Sequence, residues 1–342
     1  MTGTPKTAVI LFNLGGPGKE ADIAPFLFSF FRDKNVITLP NPLRYLLAAW
    51  IAFSRSRGAA RKAYALLGGK SPLLENTRAQ ARALETLLLK EGRAARVFVV
   101  MRHWHPRAGD VVKEVAAYQP DKIVLLPLYP QFSTTTTLSA IQDWHSAARQ
   151  AGLTCTTEVV CCYPTNAGFV AAATAQIQEA LKTAPHRVRV LFSAHGLPQK
   201  IVDKGDPYQK QCEATAAAIV RQLNVPVLDW QLCYQSRIGR LKWISPSVEE
   251  ALQKAADDGV GVIIYPLAFI SEHVETLVEL DIEYRNRAEA MGIKPYVRVQ
   301  TVGIHPRFIA GLGDLIGGAD RIRNCPETFG NCCREEKQGG EQ

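Results

Sequence analysis

No run of the 342-residue chain is apolar for long enough to cross a bilayer. The longest, from Tyr45 to Phe53, falls far short of the roughly 20 residues that a spanning helix requires. The N-terminus also lacks a charged region followed by an apolar stretch and a cleavage site, because a strand begins by Thr7. No signal or transit peptide is therefore expected, and the expected location is cytoplasmic with at most peripheral contact to a membrane. Missing too is any basic run with interleaved aromatics. The net charge of +8 is scattered, which argues against nucleic acid and suits a carboxylate-bearing small molecule or an anionic membrane surface. No strand end supplies G-x-G-x-x-G, "LGGPGK" included, which disfavours a nicotinamide-binding oxidoreductase. Low-complexity sequence is absent before the last dozen residues, so the chain reads as globular, either one large α/β domain or two linked lobes. Eight cysteines without a secretion signal do not suggest a disulfide framework, yet three of them, Cys325, Cys332 and Cys333, crowd the tail.

What is present is a regular alternation. Eight apolar runs, "TAVILFNL" (7 to 14), "RVFVVMR" (96 to 102), "KIVLLPLYP" (122 to 130), "TCTTEVV" (154 to 160), "RVRVLFSAH" (187 to 195), "VPVLDWQL" (225 to 232), "VGVIIYPLAF" (260 to 269) and "PYVRVQ" (295 to 300), are separated by amphipathic helical patterns. Continuous Val, Ile and Leu runs of this length predict parallel strands covered on both faces, an α/β fold. The halves also resemble each other. "IVLLPLYPQFSTTTTL" (123 to 138) aligns without a gap on "VIIYPLAFISEHVETL" (262 to 277), and "ILFNLGGP" (10 to 17) aligns on "VLFSAHGLP" (190 to 198) with one inserted residue. The expectation is two similar, doubly wound, Rossmann-like lobes with parallel sheets: an N-terminal lobe over 1–186, a C-terminal lobe over 187–310 and an extension over 311–342. In such sheets ligands sit beyond the carboxyl ends of the strands, which predicts an active-site cleft between the lobes.

Two features lie at predicted strand ends. Glu272, Glu275, Glu279 and Glu283 follow the seventh run at spacings of three, four and four, so a helix starting near His273 lines them on one stripe, with Val274, Leu277, Val278 and Ile282 on the opposite, buried one. A solvated acidic face and a functional site both fit that pattern. His195 ends the fifth run, ahead of Gly196 and Pro198, which turn the chain sharply. Alone it reads equally as a structural histidine; beside a carboxylate helix from the same sheet it becomes a metal or proton-transfer site.

The segments "LFNLGGP", "GGKSPL", "LYPQFS", "SAHGLP", "GDPY", "CYQSRIG" and "AFISEHVETLVELDIEY" occur in the order and at the separations seen in ferrochelatases, and the chain resembles that family from about Ala8 to Phe308. The resemblance implies a chelatase-like fold and insertion of ferrous iron into protoporphyrin IX, the last step of heme biosynthesis. Coproporphyrin III as the porphyrin, and a tetrapyrrole- or metal-binding protein without turnover, remain the alternatives. Insertion demands loss of two pyrrole protons and exchange of the ligands on the metal, and imidazole and carboxylate suit both tasks.

By the resemblance His195 and Glu275 are the central catalytic pair, and His195, Glu275 and Glu279 meet the ferrous ion. Glu272, His273, Glu279 and Glu283 form a relay for metal or protons. Leu14, Ser71, Arg102, Trp243 and Phe269 bind the porphyrin. Ser71 serves equally well as a turn or helix-cap residue, and His103 stands where the family often has tyrosine. Residues from about 23 to 62 match an apolar lip around the pocket mouth, which brings in peripheral membrane contact. A homo-oligomer is a further expectation. The tail "CPETFGNCC" resembles that of members carrying a two-iron two-sulfur cluster; Thr134 stands where animal members supply the fourth ligand, so Cys161 or Cys162 would join Cys325, Cys332 and Cys333.

Overall fold

A computed structural model describes residues 5–184, 187–237, 239 and 241–317. All eight apolar runs contribute strands: β1 (Thr7–Asn13), β2 (Ala95–Met101), β3 (Lys122–Pro127), β4 (Thr156–Val159), β5 (Val188–His195), β6 (Trp230–Gln235), β7 (Gly261–Pro266) and β8 (Tyr296–Arg298). They form two four-stranded parallel sheets of identical topology, β2-β1-β3-β4 and β6-β5-β7-β8. The predicted α/β class with two doubly wound lobes is thus observed. Two compact units carry the sheets, the first built chiefly from Met1–Leu128 and Ser133–Cys161, the second from Tyr129–Phe132 and Cys162–Asp314.

Each sheet is covered on both faces, which is why its central strands are continuous apolar runs. In the first unit Ile10, Phe12, Val100 and Leu125 pack against Val111, Val112 and Trp144. In the second, Leu191, Val262 and Ile264 pack against Val248, Ala251, Leu252, Leu280 and Tyr284. The helix Val248–Asp257 starts with a capping box, in which Ser247 and Glu250 satisfy each other's backbone N–H. The helix Ala167–Thr183 belongs to the second unit, where Gly168 meets Gly311 closely enough that an added Cβ would lie 2.7 Å from its Cα, and Phe169 stacks edge-on against Phe308.

The internal repeat is tighter than the sequence alignment allowed. Phe12 pairs with Pro127 and Ser193 with Pro266, and the next N–H of each lobe closes the same bond, Leu128 to Phe12 O and Leu267 to Ser193 O, both at 2.8 Å. Phe12 therefore corresponds to Ser193, Leu14 to His195 and Gly15 to Gly196, with no inserted residue, because strand register rather than side-chain identity sets the equivalence. Strand β6 also departs from expectation. Val225 and Val227 are exposed, Val227 with φ of +53°, so the strand starts later and runs on to Gln235.

Candidate active site

β5 and β7 are neighbours in the second sheet, so the turn after each opens at the same edge. After β7 the chain enters a segment wound as a π-helix, Glu275–Glu283, and the corresponding segment of the first unit, Thr134–Leu138, is π-helical as well. The expected α-helical stripe is therefore corrected. Thr276, Leu280, Tyr284 and Ala288 are buried at four-residue steps together with Val278, whereas Ile282 is exposed and Val274 and Leu277 are half-buried, because the wider π turn advances through a smaller angle per residue than 3.6 residues per turn.

On this frame His195 Nδ1 lies 2.8 Å from Glu275 Oε2, and the side chains remain 37% and 24% exposed, open enough to meet a ligand. His273 is buried with its Nδ1 3.1 Å from Ser271 O and its Nε2 3.8 Å from the same Glu275 oxygen. Burial opposes charge on both members of the pair. The facing charges prevail, so His195 titrates above its ordinary range, and Glu275, with His195 and then His273 beside it, titrates below the usual carboxylate range.

Glu279 accepts from Ser236 N (2.9 Å) and Ser236 Oγ (2.6 Å) and from Gln235 Nε2 (3.0 Å). Burial, and then the charge of Glu275, push its pKa up against those bonds. Gln235, fully buried beside His195 in the β5–β6 register, also donates to Glu275 O (3.1 Å), and its own Oε1 accepts from Ser193 Oγ (2.8 Å). Phe269 lies with its ring 4.7 Å from that of His273, and Trp243 lies beside Gly196, where an added Cβ would come within 3.4 Å of Cε3.

Not every residue on the predicted acidic stripe joins this group. Glu272 accepts from Arg298 Nη1 (2.6 Å), Thr301 N (2.9 Å) and Thr276 Oγ1 (2.6 Å), and Glu283 is solvent-exposed. Among the described residues no cluster of three or more His, Cys, Asp or Glu side chains is arranged to hold a metal ion. The site thus consists of one tight imidazole–carboxylate pair with a second carboxylate held to one side. Gln235 and Ser236 lie past the apolar run that ends at Leu232, so hydropathy alone gives them no role in the site. A charged Arg298 within an otherwise apolar run was the available sign of the bonds it makes.

In the first unit Arg102 donates from Nε to Ser139 Oγ and from Nη2 to Asp33 Oδ2, each at 2.7 Å, with Asp143 3.7 Å away. Asp33 also accepts from Ser139 Oγ. His103 is buried, and that burial, then Arg102 and Arg107, keep its pKa well below the ordinary value. Ser71 is buried in a turn: its N–H donates to Pro17 O at 2.8 Å and its Oγ lies 3.3 Å from Leu73 N at the start of the helix Leu73–Lys90. Leu14 is half-buried and accepts from His103 N at 2.9 Å. On the helix Asn41–Arg57, small Ala48 and Ala52 are buried, and Leu43, Leu46, Trp50 and Phe53 are exposed along one stripe that ends at Arg57, stacked 3.8 Å over Phe53.

Cys325, Cys332 and Cys333 lie outside the described residues. Cys161 is half-buried just past β4. Cys162 is buried, and its sulfur lies 3.4 Å from Gln211 Nε2. No described helix is long and apolar enough to cross a membrane.

Comparison with known proteins places this geometry in context. A family described as Ferrochelatase matches residues 6–319. Ferrochelatase from Caulobacter vibrioides (strain NA1000 / CB15N) is 48% identical over 334 residues, covering 96% of this chain and 94% of that protein. The one from Wolbachia sp. subsp. Drosophila simulans (strain wRi) is 49% identical, with 91% and 98% covered. Among solved structures, SirB from Bacillus subtilis with Fe3+ superposes with a TM-score of 0.53 at 14% identity, covering 95% and 99% of the two chains. CbiX, the terminal enzyme for biosynthesis of siroheme in denitrifying bacteria, gives 0.50 at 14% identity, with 92% and 99% covered; both likenesses are of fold.

Proposed function

The chain belongs to the ferrochelatase family, lyases of heme biosynthesis that insert a metal ion into a porphyrin, and from that premise we propose that it converts protoporphyrin IX and ferrous iron to protoheme at the His195–Glu275 pair. The observation that carries this reading is the 2.8 Å contact between His195 Nδ1 and Glu275 Oε2 beside the rings of His273 and Phe269. A carboxylate facing Nδ1 keeps the proton on that nitrogen and leaves the lone pair of Nε2 for a pyrrole N–H. As that N–H breaks, the imidazolium formed is stabilised by Glu275, and the ring nitrogen turns its freed electron pair to iron. The second pyrrole proton goes to Glu279, whose proton affinity is raised by burial and by the charge of Glu275. Two N–H bonds are replaced by bonds to ferrous iron, and two protons leave through the π segment toward exposed Glu283.

Trp243 and Phe269 supply apolar contact to the macrocycle, whereas Leu14, Ser71 and Arg102 lie on the first unit. Arg102, already bonded to Asp33 and Ser139, acts chiefly by fixing the strand end. The stripe of Leu43, Leu46, Trp50 and Phe53, flanked by arginines, fits the acyl–headgroup boundary of an anionic membrane, a source of poorly soluble porphyrin. A two-iron two-sulfur cluster would be held by Cys161 or Cys162 with Cys325, Cys332 and Cys333. When bound it would cross-link the tail to the body, and no step of insertion passes through it.

Steady-state turnover on protoporphyrin IX and coproporphyrin III tests the substrate assignment. A higher kcat/KM for protoporphyrin IX is expected, and a preference for coproporphyrin III overturns it. Porphyrin binding with no metal insertion by the wild-type protein would refute the catalytic reading.

A further inference from the structure

π winding is ordinarily a single-turn bulge inside an α-helix, and here it extends over nine residues and carries both Glu275 and Glu279. The contacts that hold it come from β8. Arg298, with a side chain only 7% exposed, donates from Nη1 to Glu272 Oε1 at 2.6 Å and from Nε and Nη2 to Asp281 Oδ2 at 2.9 and 2.5 Å. Glu272 stands just before the π segment and Asp281 near its far end, so one guanidinium ties the two ends to a single point. Neighbouring bonds brace the same frame: Thr301 N–H and Thr276 Oγ1 donate to Glu272, Tyr296 Oη donates to Leu280 O at 2.8 Å, and Arg285 donates to both Asp281 and Tyr296 O.

We infer that Arg298 is a positioning residue for metal insertion: by bridging Glu272 and Asp281 it holds the intervening segment in π winding, and that winding sets Glu275 against His195 and Glu279 against Gln235 and Ser236. The inference rests on the roles given above to His195 and Glu275. It also assigns Glu272 a part different from that of a relay, because three donors already occupy its oxygens. Relaxation of the segment to α winding changes the rotation per residue and carries Glu275 away from the strand end where His195 waits. A lysine cannot substitute, since its ammonium lacks the planar fork that meets two carboxylates at once.

The test uses the full-length enzyme with Arg298→Lys. The companion triple variant Glu272→Gln, Asp281→Asn, Arg298→Met removes all three charges together, so that a folded protein without the bridge is measured even where the lysine variant does not fold. Glu275→Gln serves as the control. Metal-insertion kcat, porphyrin KM, porphyrin Kd by fluorescence quenching and Tm are read for each. The expected result is a kcat lower by about 10- to 100-fold, the usual effect of removing a group that orients a metal-site ligand, with porphyrin KM and Kd unchanged. A folded variant with wild-type kcat overturns the inference, and so does porphyrin affinity that weakens in step with kcat and Tm. If Glu275→Gln itself turns over normally, the failure belongs to the catalytic reading; if that control is inactive and the bridge variants are not, it belongs to the bridge alone.

Discussion

Replacing Glu275 by Gln keeps the length of the side chain and removes the charge that faces His195, which separates two effects running oppositely with pH. At the observed 2.8 Å the unit-charge attraction is about 6 kcal/mol for an effective dielectric near 20. With the His195 side chain 37% exposed, solvent screening and the entropy of holding both side chains reduce the net contribution to roughly 1–3 kcal/mol. Relief of Glu279, whose proton affinity Glu275 raises, moves the expected loss toward the lower end. Because the pair lifts His195 above its ordinary pKa, its stabilisation is complete below the unfolded value of about 6.5 and is lost as pH rises through the folded one. Glu275, held below its ordinary range, sets the acid limit: the contribution is present above about 4.3 and fades on further acidification. Metal binding follows the opposite slope above neutrality, because the ion displaces the proton that the pair retains. Denaturant unfolding of both proteins at pH 6 and pH 9 should show the variant's deficit at pH 6 and its shrinkage at pH 9. Metal affinity of the wild type should climb over the same interval, and that of the variant should complete its climb at lower pH, because its imidazole is no longer held above the ordinary value. A deficit that is constant or larger at pH 9 would refute the ion pair and remove the basis for His195 as proton acceptor.

Three further outcomes follow from particular contacts. A Cβ on Gly196 would lie 2.9 Å from Gln235 O, so Gly196→Ala should cost about 1–3 kcal/mol and lower kcat by displacing the strand end that carries His195; unchanged Tm and kcat would count against that packing. Trp50→Glu should reduce sedimentation with phosphatidylserine-containing vesicles several-fold and leave turnover on detergent-dispersed porphyrin intact, whereas unchanged vesicle binding, or a change only in oligomeric state, rejects the membrane reading. Purified protein should contain iron and acid-labile sulfide in near-equal amounts, both lost on joint replacement of Cys332 and Cys333 by Ser; protein lacking both after anaerobic loading with iron and sulfide argues against the cluster.

Local pattern was sufficient for much of this. Apolar runs of strand length separated by helical patterns specify a parallel α/β lobe, and their repetition specifies two, because hydrophobic period and burial on both faces are properties of neighbouring residues. The placement of His195 and the glutamates at strand ends was legible for the same reason. Pairing was not. His195 and Glu275 are 80 positions apart and meet only because β5 and β7 are adjacent in one sheet, and Gln235 enters only because β6 continues past Leu232. The spacing of Glu272, Glu275, Glu279 and Glu283 read as one functional stripe. Tertiary bonds divided it, drawing Glu272 to Arg298 and Glu279 to Ser236 and leaving Glu275 alone on the imidazole. Sequence by itself determined which elements exist and which chemistry the chain carries. Only the tertiary structure decided which carboxylate faces the histidine, because π winding and strand register depend on donors contributed by distant segments, and no local propensity encodes them.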